Sequence, residues 1–498
     1  MTTLIAATAA GKVRGAEVSD GVLAWRGIPY AAAPVGPLRL RPPQPAEPWA
    51  GIRDAVAYGP PSLQPPPDTA GFLGGTVPGL PPPSEDCLYL NVTAPAGASR
   101  NPVLVWIHGG GYQSGSGTDM AGDGAAFARD HGLVVVTFNY RLGALGYLSL
   151  AGEEHTGAYG LYDQIAALRW VRDNIAGFGG DPGRVTVYGL SAGAKSVANL
   201  LASPLARGLV HRAASSSGGA DHVATPEQAA NVARRFFREL GGVPARVRDV
   251  PAQDILAAQT AIARGLRGAF VWRPAVDGLA LTGPPLDAIA AGSAAGVPLL
   301  AQTCVDECAL YQLAVPDAAE QADRVLEEQL GPAHRDAILA AYAASRPELA
   351  RDPERLRVAV MSDERYGVPT ARLADTQSAH APVWRSRYEG PFTGLAAVMA
   401  PFADLLRAAH GGDGTAVWAG GDGPAGQLHA LWGAFATGRA PAAAGLPEWP
   451  PYTTARRAIM ILDPDGPYVA DDPHPLERAA WDGHHWPSST WWHFAGVE

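Results

Sequence analysis

A serine between two glycines, in residues 189–193 (GLSAG), is the feature whose residue types most directly suggest chemistry. Residues 184–188 are rich in β-branched side chains and predict a short strand, whereas residues 192–202 have apolar side chains at helical spacing. A tight turn between a strand and a helix would hold the Ser191 hydroxyl at the positive end of the helix dipole, where negative charge is stabilised. The alternative is an ordinary glycine turn. The flanking strand and helix favour Ser191 as a nucleophile.

A second candidate is the glycine-rich loop at residues 108–111 (HGGG), which follows the apolar run 102–107. A continuous apolar run of this kind predicts a buried parallel strand. The alternative is a merely flexible loop, but glycines also let backbone N–H groups approach an oxyanion closely. This loop, followed downstream by the serine turn, resembles the arrangement in lipases and esterases of the α/β-hydrolase fold. We therefore predict an oxyanion hole built from the N–H groups of Gly110, Gly111 and Ala192.

Further motifs make the resemblance specific to type-B carboxylesterases, the family of the para-nitrobenzyl esterases, carboxylesterases and cholinesterases. They are WRGIPYA at 25–31, EDCLYLNV at 85–92, NYRLG at 139–143, GLYDQ at 160–164, FGGDP at 178–182, PAVDG at 274–278 and WPPY at 449–452. The motifs extend over about residues 10–465 and keep the order in which the family has them. The chain is therefore identified from its sequence as a member of this family.

The resemblance implies a single α/β-hydrolase domain over residues 1–498. Its large, mostly parallel central sheet would be flanked by helices, with a small N-terminal sheet and helical cap insertions mainly within residues 221–380. A chain of 498 residues is long for one domain, but a large α/β sheet can accommodate it.

A serine nucleophile needs a histidine base and an acid that orients the histidine, in the chain order Ser, Asp or Glu, His. The family has Gly-Thr-Asn-x-Asp-Glu-Gly after a buried strand, and this chain has QTCVDEC at residues 302–308. The family's acid corresponds to Glu307. Because Gln302, Cys304 and Cys308 differ from the pattern, Asp306 and Asp363 remain as alternatives.

Thirteen histidines compete for the role of the base. The family has its catalytic histidine in Gly-Ala-x-His-x-x-Glu/Asp, and residues 407–413 (RAAHGGD) match this pattern with an arginine in place of the first glycine. We therefore predict His410 as the base, with His429 as the alternative. In the family an aromatic residue before the PxxDG motif bounds the acyl pocket, which points to Phe270 or Trp272. By the same alignment Leu310 and Tyr311 should face the gorge, although core packing would explain all four residues.

Two departures lie beside the nucleophile. Most active relatives have a glutamate where this chain has Leu190. In those relatives the glutamate holds a buried water network near the catalytic histidine. Lys195 replaces a small or apolar residue. We expect hydrolysis of a small-molecule carboxylic ester through an acyl-enzyme. The apolar Leu190 keeps an acyltransferase or cyclase open as an alternative. A non-catalytic, cholinesterase-like binding protein is disfavoured because such proteins lose triad residues.

Composition limits the partners and the location. The formal net charge of −10 argues against a nucleic-acid partner, and no apolar run is long enough to span a membrane. With three cysteines and no basic N-terminal segment, we expect a cytoplasmic protein, and the abundance of Ala, Gly, Pro and Arg suggests a bacterial one. The resemblance implies no metal and no organic cofactor; the tryptophans and histidines of residues 481–493 suit packing better than zinc. The sequence leaves the oligomeric state open.

Overall fold

The structure is a computed structural model, and it describes residues 4–66, 80–119, 124–242, 246–263, 270–391, 408–421 and 423–485. The C-terminal residues 486–498, which include Trp486, Trp491, Trp492 and His493, lie outside the described residues. Within the described part, the indole N–H of Trp481 donates to the Tyr342 hydroxyl at 2.9 Å, so this tryptophan packs in a helical cluster.

Fourteen strands are present in the described parts of the chain, and they form two sheets. Their bounds are Ile5–Thr8 (β1), Gly11–Arg14 (β2), Ala16–Ser19 (β3), Val22–Pro29 (β4), Ile52–Asp54 (β5), Tyr89–Pro95 (β6), Asn101–Ile107 (β7), Val134–Phe138 (β8), Gly180–Leu190 (β9), Arg212–Ser216 (β10), Leu299–Cys304 (β11), Val383–Tyr388 (β12), Ala458–Leu462 (β13) and Tyr468–Asp471 (β14). The small N-terminal sheet has the order β1-β2-β5 and the large sheet the order β14-β13-β12-β11-β10-β9-β7-β8-β6-β4-β3.

The large sheet is parallel from β13 to β8, and antiparallel strands join at both edges. Its central strands are buried on both faces, which is why β7 and β8 consist almost entirely of apolar residues. The sequence predicted a mostly parallel central sheet with a small N-terminal sheet, and the structure has both.

Helices cover the two faces of the sheet and fill the connections between strands. Their bounds are Ala125–His131, Gly143–Tyr147, Tyr159–Asn174, Ala192–Ala202, Pro226–Glu239, Ala252–Ile262, Pro285–Ala290, Ala309–Ala314, Ala318–Leu330, Pro332–Ser345, Pro353–Ser362, Val368–Ser378, Gly414–Ala419, Gly423–Ala436 and Pro475–Ala480. A single π-helical turn, Asp363–Gly367, joins two of them. The helices between β10 and β12 occupy the region where cap insertions were expected.

Two of the sequence motifs meet in the core as an ion pair. Arg141 Nη2 lies 2.7 Å from Asp163 Oδ1, and the side chains of both residues are almost completely buried. Arg141 Nη1 also donates to the backbone carbonyl of Arg41 at 2.8 Å. A buried charge is tolerated only when it is paired and hydrogen-bonded. The pair therefore fixes the segment after β8 against the helix that precedes β9.

Candidate functional site

Ser191 occupies a strained turn between β9 and the helix Ala192–Ala202. Its φ of 58° and ψ of −122° are unusual for a residue with a side chain, and its N–H donates to the Ser216 carbonyl at 2.9 Å. The neighbouring glycines are required because a Cβ on Gly189 would lie 2.2 Å from the Gly193 carbonyl. A Cβ on Gly193 would lie 2.0 Å from the Ile107 carbonyl oxygen. The turn thus depends on both glycines, as the motif predicted.

The glycine-rich loop after β7 lies directly against this turn. A Cβ on Gly109 would be 3.2 Å from the Ser191 Cβ, and Gly110 has a φ of 97°, which favours glycine. Gly111 also has a positive φ, of 60°. The loop therefore places backbone close to Ser191, where the N–H groups of Gly110, Gly111 and Ala192 were predicted to hold an oxyanion.

Glu307 and His410 form a buried hydrogen-bonded pair. Glu307 Oε2 lies 2.6 Å from His410 Nδ1, and both side chains are about 1% exposed. The other carboxylate oxygen, Oε1, accepts from the Ser217 hydroxyl at 2.6 Å and from the Cys304 backbone N–H at 2.7 Å. In addition, the His410 N–H donates to the Glu307 carbonyl at 3.2 Å. The carboxylate is thus fixed by three donors, and it in turn orients the imidazole.

The second ring nitrogen of His410 is left for another partner. Nε2 is buried and has no hydrogen-bond partner among the described residues. One face of the imidazole stacks on the Tyr366 ring, with centroids 4.4 Å apart. An imidazole that is bound at Nδ1 by a carboxylate carries its proton there, so Nε2 is the nitrogen able to accept one.

The alternative acids and the alternative base lie in other environments. The Asp306 N–H donates to the Ala408 carbonyl at 3.2 Å, and burial raises the pKa of the Asp306 carboxyl. Asp363 accepts from the Tyr342 hydroxyl at 2.6 Å. His429 Nδ1 lies 2.7 Å from the Val417 carbonyl, and its Nε2 lies 3.5 Å from Asp130. Of the three candidate acids, Glu307 is the one whose carboxylate contacts His410.

A second carboxylate, Asp413, is completely buried near the pair. It accepts a hydrogen bond from the Gln302 amide, and the Cys304 thiol lies 3.7 Å from its other oxygen. Burial raises the pKa of Asp413, and the charge of Glu307 raises it further. Leu190 packs in the apolar cluster that also contains Cys304, and 3% of its surface is exposed.

The four residues predicted to bound the pocket divide into two groups. Tyr311 lies 6.2 Å from the His410 ring and 6.0 Å from the Phe270 ring, and Leu310 packs in a small cluster with Ala409, next to His410. Trp272 instead belongs to the main core, where its ring contacts Phe236. The structure therefore brings Phe270, Leu310 and Tyr311 towards His410, whereas it places Trp272 among core residues.

Sequence reasoning missed two residues that touch the pair. Ser217 donates to Glu307 from a backbone with a φ of 55°. Tyr366 stacks on His410 and shares a hydrogen bond of 2.8 Å with the Tyr311 hydroxyl. Ser217 is one of three consecutive serines, and Tyr366 lies in a helical region without a motif, so no local signal distinguished them.

The described residues contain no cluster of histidine, cysteine, aspartate or glutamate side chains that could hold a metal ion. In the same part of the chain, no helix is both long enough and apolar enough to cross a membrane.

Comparison with known proteins identifies the family of the chain. A model of the carboxylesterase family matches residues 2–474, so the chain belongs to that family. The para-nitrobenzyl esterase of Bacillus subtilis is 41% identical over 406 residues, which cover 78% of this chain and 79% of the relative. The phenmedipham hydrolase of Pseudarthrobacter oxydans is 34% identical over 503 residues, covering 95% of this chain and 97% of that protein.

Solved structures give the same result for the fold. A para-nitrobenzyl esterase structure superposes with a TM-score of 0.81 at 36% identity, covering 96% of this chain and all of the other. A carboxylesterase from Geobacillus stearothermophilus gives a TM-score of 0.81 at 35% identity, with the same coverage. The predicted α/β-hydrolase fold and the predicted carboxylesterase family are confirmed, and the protein is a carboxylesterase.

Proposed function

We propose that this carboxylesterase hydrolyses small-molecule esters through a Ser191-His410-Glu307 triad and an acyl-enzyme intermediate. The observation that carries the proposal is the buried contact of 2.6 Å between Glu307 and His410 Nδ1, because it leaves Nε2 as the proton acceptor. The strained turn that holds Ser191 and the adjoining glycine loop supply the other two requirements, a nucleophile and backbone donors.

The reaction has two steps. Ser191 Oγ attacks the ester carbonyl carbon while His410 Nε2 takes the hydroxyl proton, and the N–H groups of Gly110, Gly111 and Ala192 hold the oxyanion. Glu307 stabilises the imidazolium, which then gives its proton to the leaving alcohol as the C–O bond breaks. Water repeats the sequence on the acyl-enzyme, releasing the acid and restoring Ser191.

Transfer of the acyl group to an acceptor other than water is the second candidate. It is favoured by Leu190, whose apolar side chain packs in a buried apolar cluster and cannot itself hold an activating water. The proposal needs no metal or organic cofactor and takes the protein to be a single cytoplasmic domain of bacterial origin.

Labelling with an organophosphonate and turnover of a para-nitrophenyl ester test the proposal together. Ser191→Ala should remain folded, lose covalent labelling and lose about 10⁴–10⁶ in kcat. Labelling of the variant at the wild-type rate would refute the role of Ser191. Turnover that requires an added alcohol would indicate an acyltransferase, and a wild-type protein without turnover or labelling would indicate a binding protein.

The names of the relatives suggest a first substrate panel. One relative is named for para-nitrobenzyl esters and another for phenmedipham. The wild-type protein should therefore be assayed with a para-nitrobenzyl ester, with phenmedipham and with para-nitrophenyl esters of increasing acyl length. If the protein hydrolyses none of these esters, its substrate class differs from that of these relatives.

A further inference from the structure

Tyr366 is a residue at which side chains from all three segments of the proposed triad meet. Its ring stacks on the His410 imidazole, with centroids 4.4 Å apart and 27° between the ring planes. Its hydroxyl shares a hydrogen bond of 2.8 Å with the hydroxyl of Tyr311, which lies on the short helix that follows the triad acid. The Lys195 ammonium lies 5.5 Å from the centre of the same ring, and this lysine is one turn after the nucleophile. The tyrosine therefore connects the segments that carry the nucleophile, the acid and the base.

The backbone and the surroundings also fix the position of Tyr366. The residue lies on the π-helical turn Asp363–Gly367, which joins two α-helices without a break. Within this turn the N–H of Val368 donates to the carbonyl of Asp363, five residues earlier, and turns of this kind are frequent at functional sites. The Tyr366 side chain is completely buried, and burial raises the pKa of its hydroxyl well above the usual value. The ring is thus a neutral and well-packed surface for the imidazole.

The hydrogen bond to Glu307 does not by itself fix the plane of the His410 ring. Glu307 Oε2 contacts the imidazole at one atom, Nδ1, at 2.6 Å, and a single contact leaves a ring free to tilt. His410 also lies in a turn rather than in a helix or a strand, so its backbone is held less firmly than that of a regular element. Tilting would move Nε2 and its lone pair away from the Ser191 hydroxyl. The flat face of Tyr366 blocks this movement on its side of the ring.

We propose that Tyr366 is a positioning residue for ester hydrolysis, because its ring fixes the plane of the His410 imidazole and keeps Nε2 directed at Ser191. In this role Tyr366 acts through His410 and not on the reacting atoms. The inference rests on the proposed function of His410 as the base. It predicts that loss of the ring lowers kcat and leaves the binding of the ester nearly unchanged.

Replacement of Tyr366 by leucine tests the role of the flat ring. Tyr366→Leu should lower kcat for a para-nitrophenyl ester by about 10- to 100-fold, because displacement of a catalytic group by about 1 Å can cost about 10²-fold. KM and the inhibition constant of hexanoate, a product-like acid, should stay within about threefold of wild type. A melting curve establishes that the variant is folded. Wild-type kcat in the folded variant would overturn the proposal, and so would a rise in KM and in the inhibition constant without a fall in kcat.

Two matched variants separate the ring from its hydroxyl and from general packing. Tyr366→Phe keeps the ring and loses the bond to Tyr311, so it should retain most of the wild-type kcat. Tyr452→Leu makes the same change as Tyr366→Leu at another buried tyrosine, whose hydroxyl donates to Asp375. This control should lower the melting temperature and leave kcat unchanged. A phenylalanine variant as inactive as the leucine variant, or an equal loss of kcat in Tyr452→Leu, would contradict the proposal.

A background without the base distinguishes positioning from a structural role. In His410→Ala the residual hydrolysis comes from the oxyanion hole and from substrate binding. Adding Tyr366→Leu to this background should cause no further fall in the rate, because no imidazole remains to be oriented. The two changes are thus expected to be strongly non-additive. An equal effect of Tyr366→Leu with and without His410 would reject the positioning role.

Tyr366→Met covers the case in which the leucine variant does not fold, since methionine fills irregular buried space but has no flat face. It should lose kcat as the leucine variant does, and full activity would contradict the proposal. If neither variant folds, Tyr366→Phe decides, because a loss of kcat beyond about tenfold would assign the effect to the hydroxyl and not to the ring. The proposed function is tested separately. If His410→Ala loses turnover while folded Tyr366→Leu keeps it, only the positioning role fails; if His410→Ala keeps wild-type kcat, the proposed base is itself wrong.

Discussion

Replacement of Glu307 by glutamine is the perturbation whose result the structure determines most closely. Its two carboxylate oxygens have different partners: Oε1 accepts from Ser217 and from the Cys304 N–H, and Oε2 contacts His410 Nδ1. A glutamine amide has the same shape but only one acceptor oxygen. The variant must therefore give its NH₂ group to one of these two positions.

The Cys304 side cannot accept the amide group without cost. An NH₂ group there would face the backbone N–H of Cys304, and a buried donor left without an acceptor costs about 1–3 kcal/mol. The amide should therefore turn its NH₂ group towards His410, where Nδ1 must become the acceptor. The proton of the neutral imidazole then moves to Nε2, the nitrogen that has to take the Ser191 proton.

The wrong tautomer and the loss of the negative charge both act on the transition state. The same change in a serine protease triad lowers kcat by about 10⁴, which corresponds to about 5.4 kcal/mol at 1.36 kcal/mol per tenfold. We expect a loss of that order in kcat for Glu307→Gln with little change in KM. Steady-state turnover of a para-nitrophenyl ester measures it, and a melting curve establishes that the variant is folded.

Asp306→Asn is the matched control, because it makes the same chemical change at the adjacent residue. The backbone N–H of Asp306 pairs with the Ala408 carbonyl, whereas Glu307 is the residue whose carboxylate contacts His410 Nδ1. Its effect on kcat should be far smaller. If Glu307→Gln retained kcat within about tenfold of wild type, or if Asp306→Asn were the more damaging change, the assignment of the triad acid would be wrong.

Three further variants test the pocket, the turn and the core. Phe270→Ala should shift the kcat/KM optimum towards longer acyl chains, by about 0.8 kcal/mol per additional buried CH₂ group; an unchanged chain-length profile in a folded variant would remove Phe270 from the pocket. Wild-type protein should release a burst of alcohol product before steady state, and Leu190→Glu should shrink it if the variant melts normally; a wild type without a burst would make Leu190 a neutral substitution. Arg141→Met should destabilise the protein by about 3–5 kcal/mol in denaturant unfolding, since Asp163 would remain as a buried unpaired charge, and a near-neutral effect would contradict the buried pair.

Much of the candidate site could be predicted from the sequence because its parts are local. The glycines around Ser191 and those after β7 are required by close backbone contacts within a few residues, so their spacing carries the information. Glu307 and His410 followed from motif positions, although they are 103 residues apart in the chain. The strands and helices beside them agree with the apolar patterns to within a few residues.

The rest depends on contacts between distant segments. Ser217 donates a hydrogen bond to Glu307, which is 90 residues away in the chain. Tyr366 stacks on His410 from a π-helical turn that no sequence pattern predicts. The position of Lys195 beside the Tyr366 ring likewise requires the tertiary fold. A buried lysine or arginine cannot be predicted from the sequence, because residues of these types are usually exposed.

Two departures from the family pattern, Leu190 and Gln302, are close together in the large sheet. Leu190 on β9 is level with Ser216 on β10, and Ser216 is level with Gln302 on β11, so the changed positions 190 and 302 lie in one row across the sheet. Gln302 donates to Asp413 and accepts from the Ser386 hydroxyl at 3.0 Å.

Where relatives have a glutamate and a glycine in this row, this chain has an apolar residue and an amide. The amide binds the buried carboxylate of Asp413 directly, and the apolar residue removes a second carboxylate that would have needed a partner of its own. Gln302 therefore binds Asp413 in this row but supplies no carboxylate at position 190. A Leu190→Glu change would bury a carboxylate in this row, where the Gln302 amide is already bound to Asp413. The effect of that change therefore depends on the residue at position 302 as well.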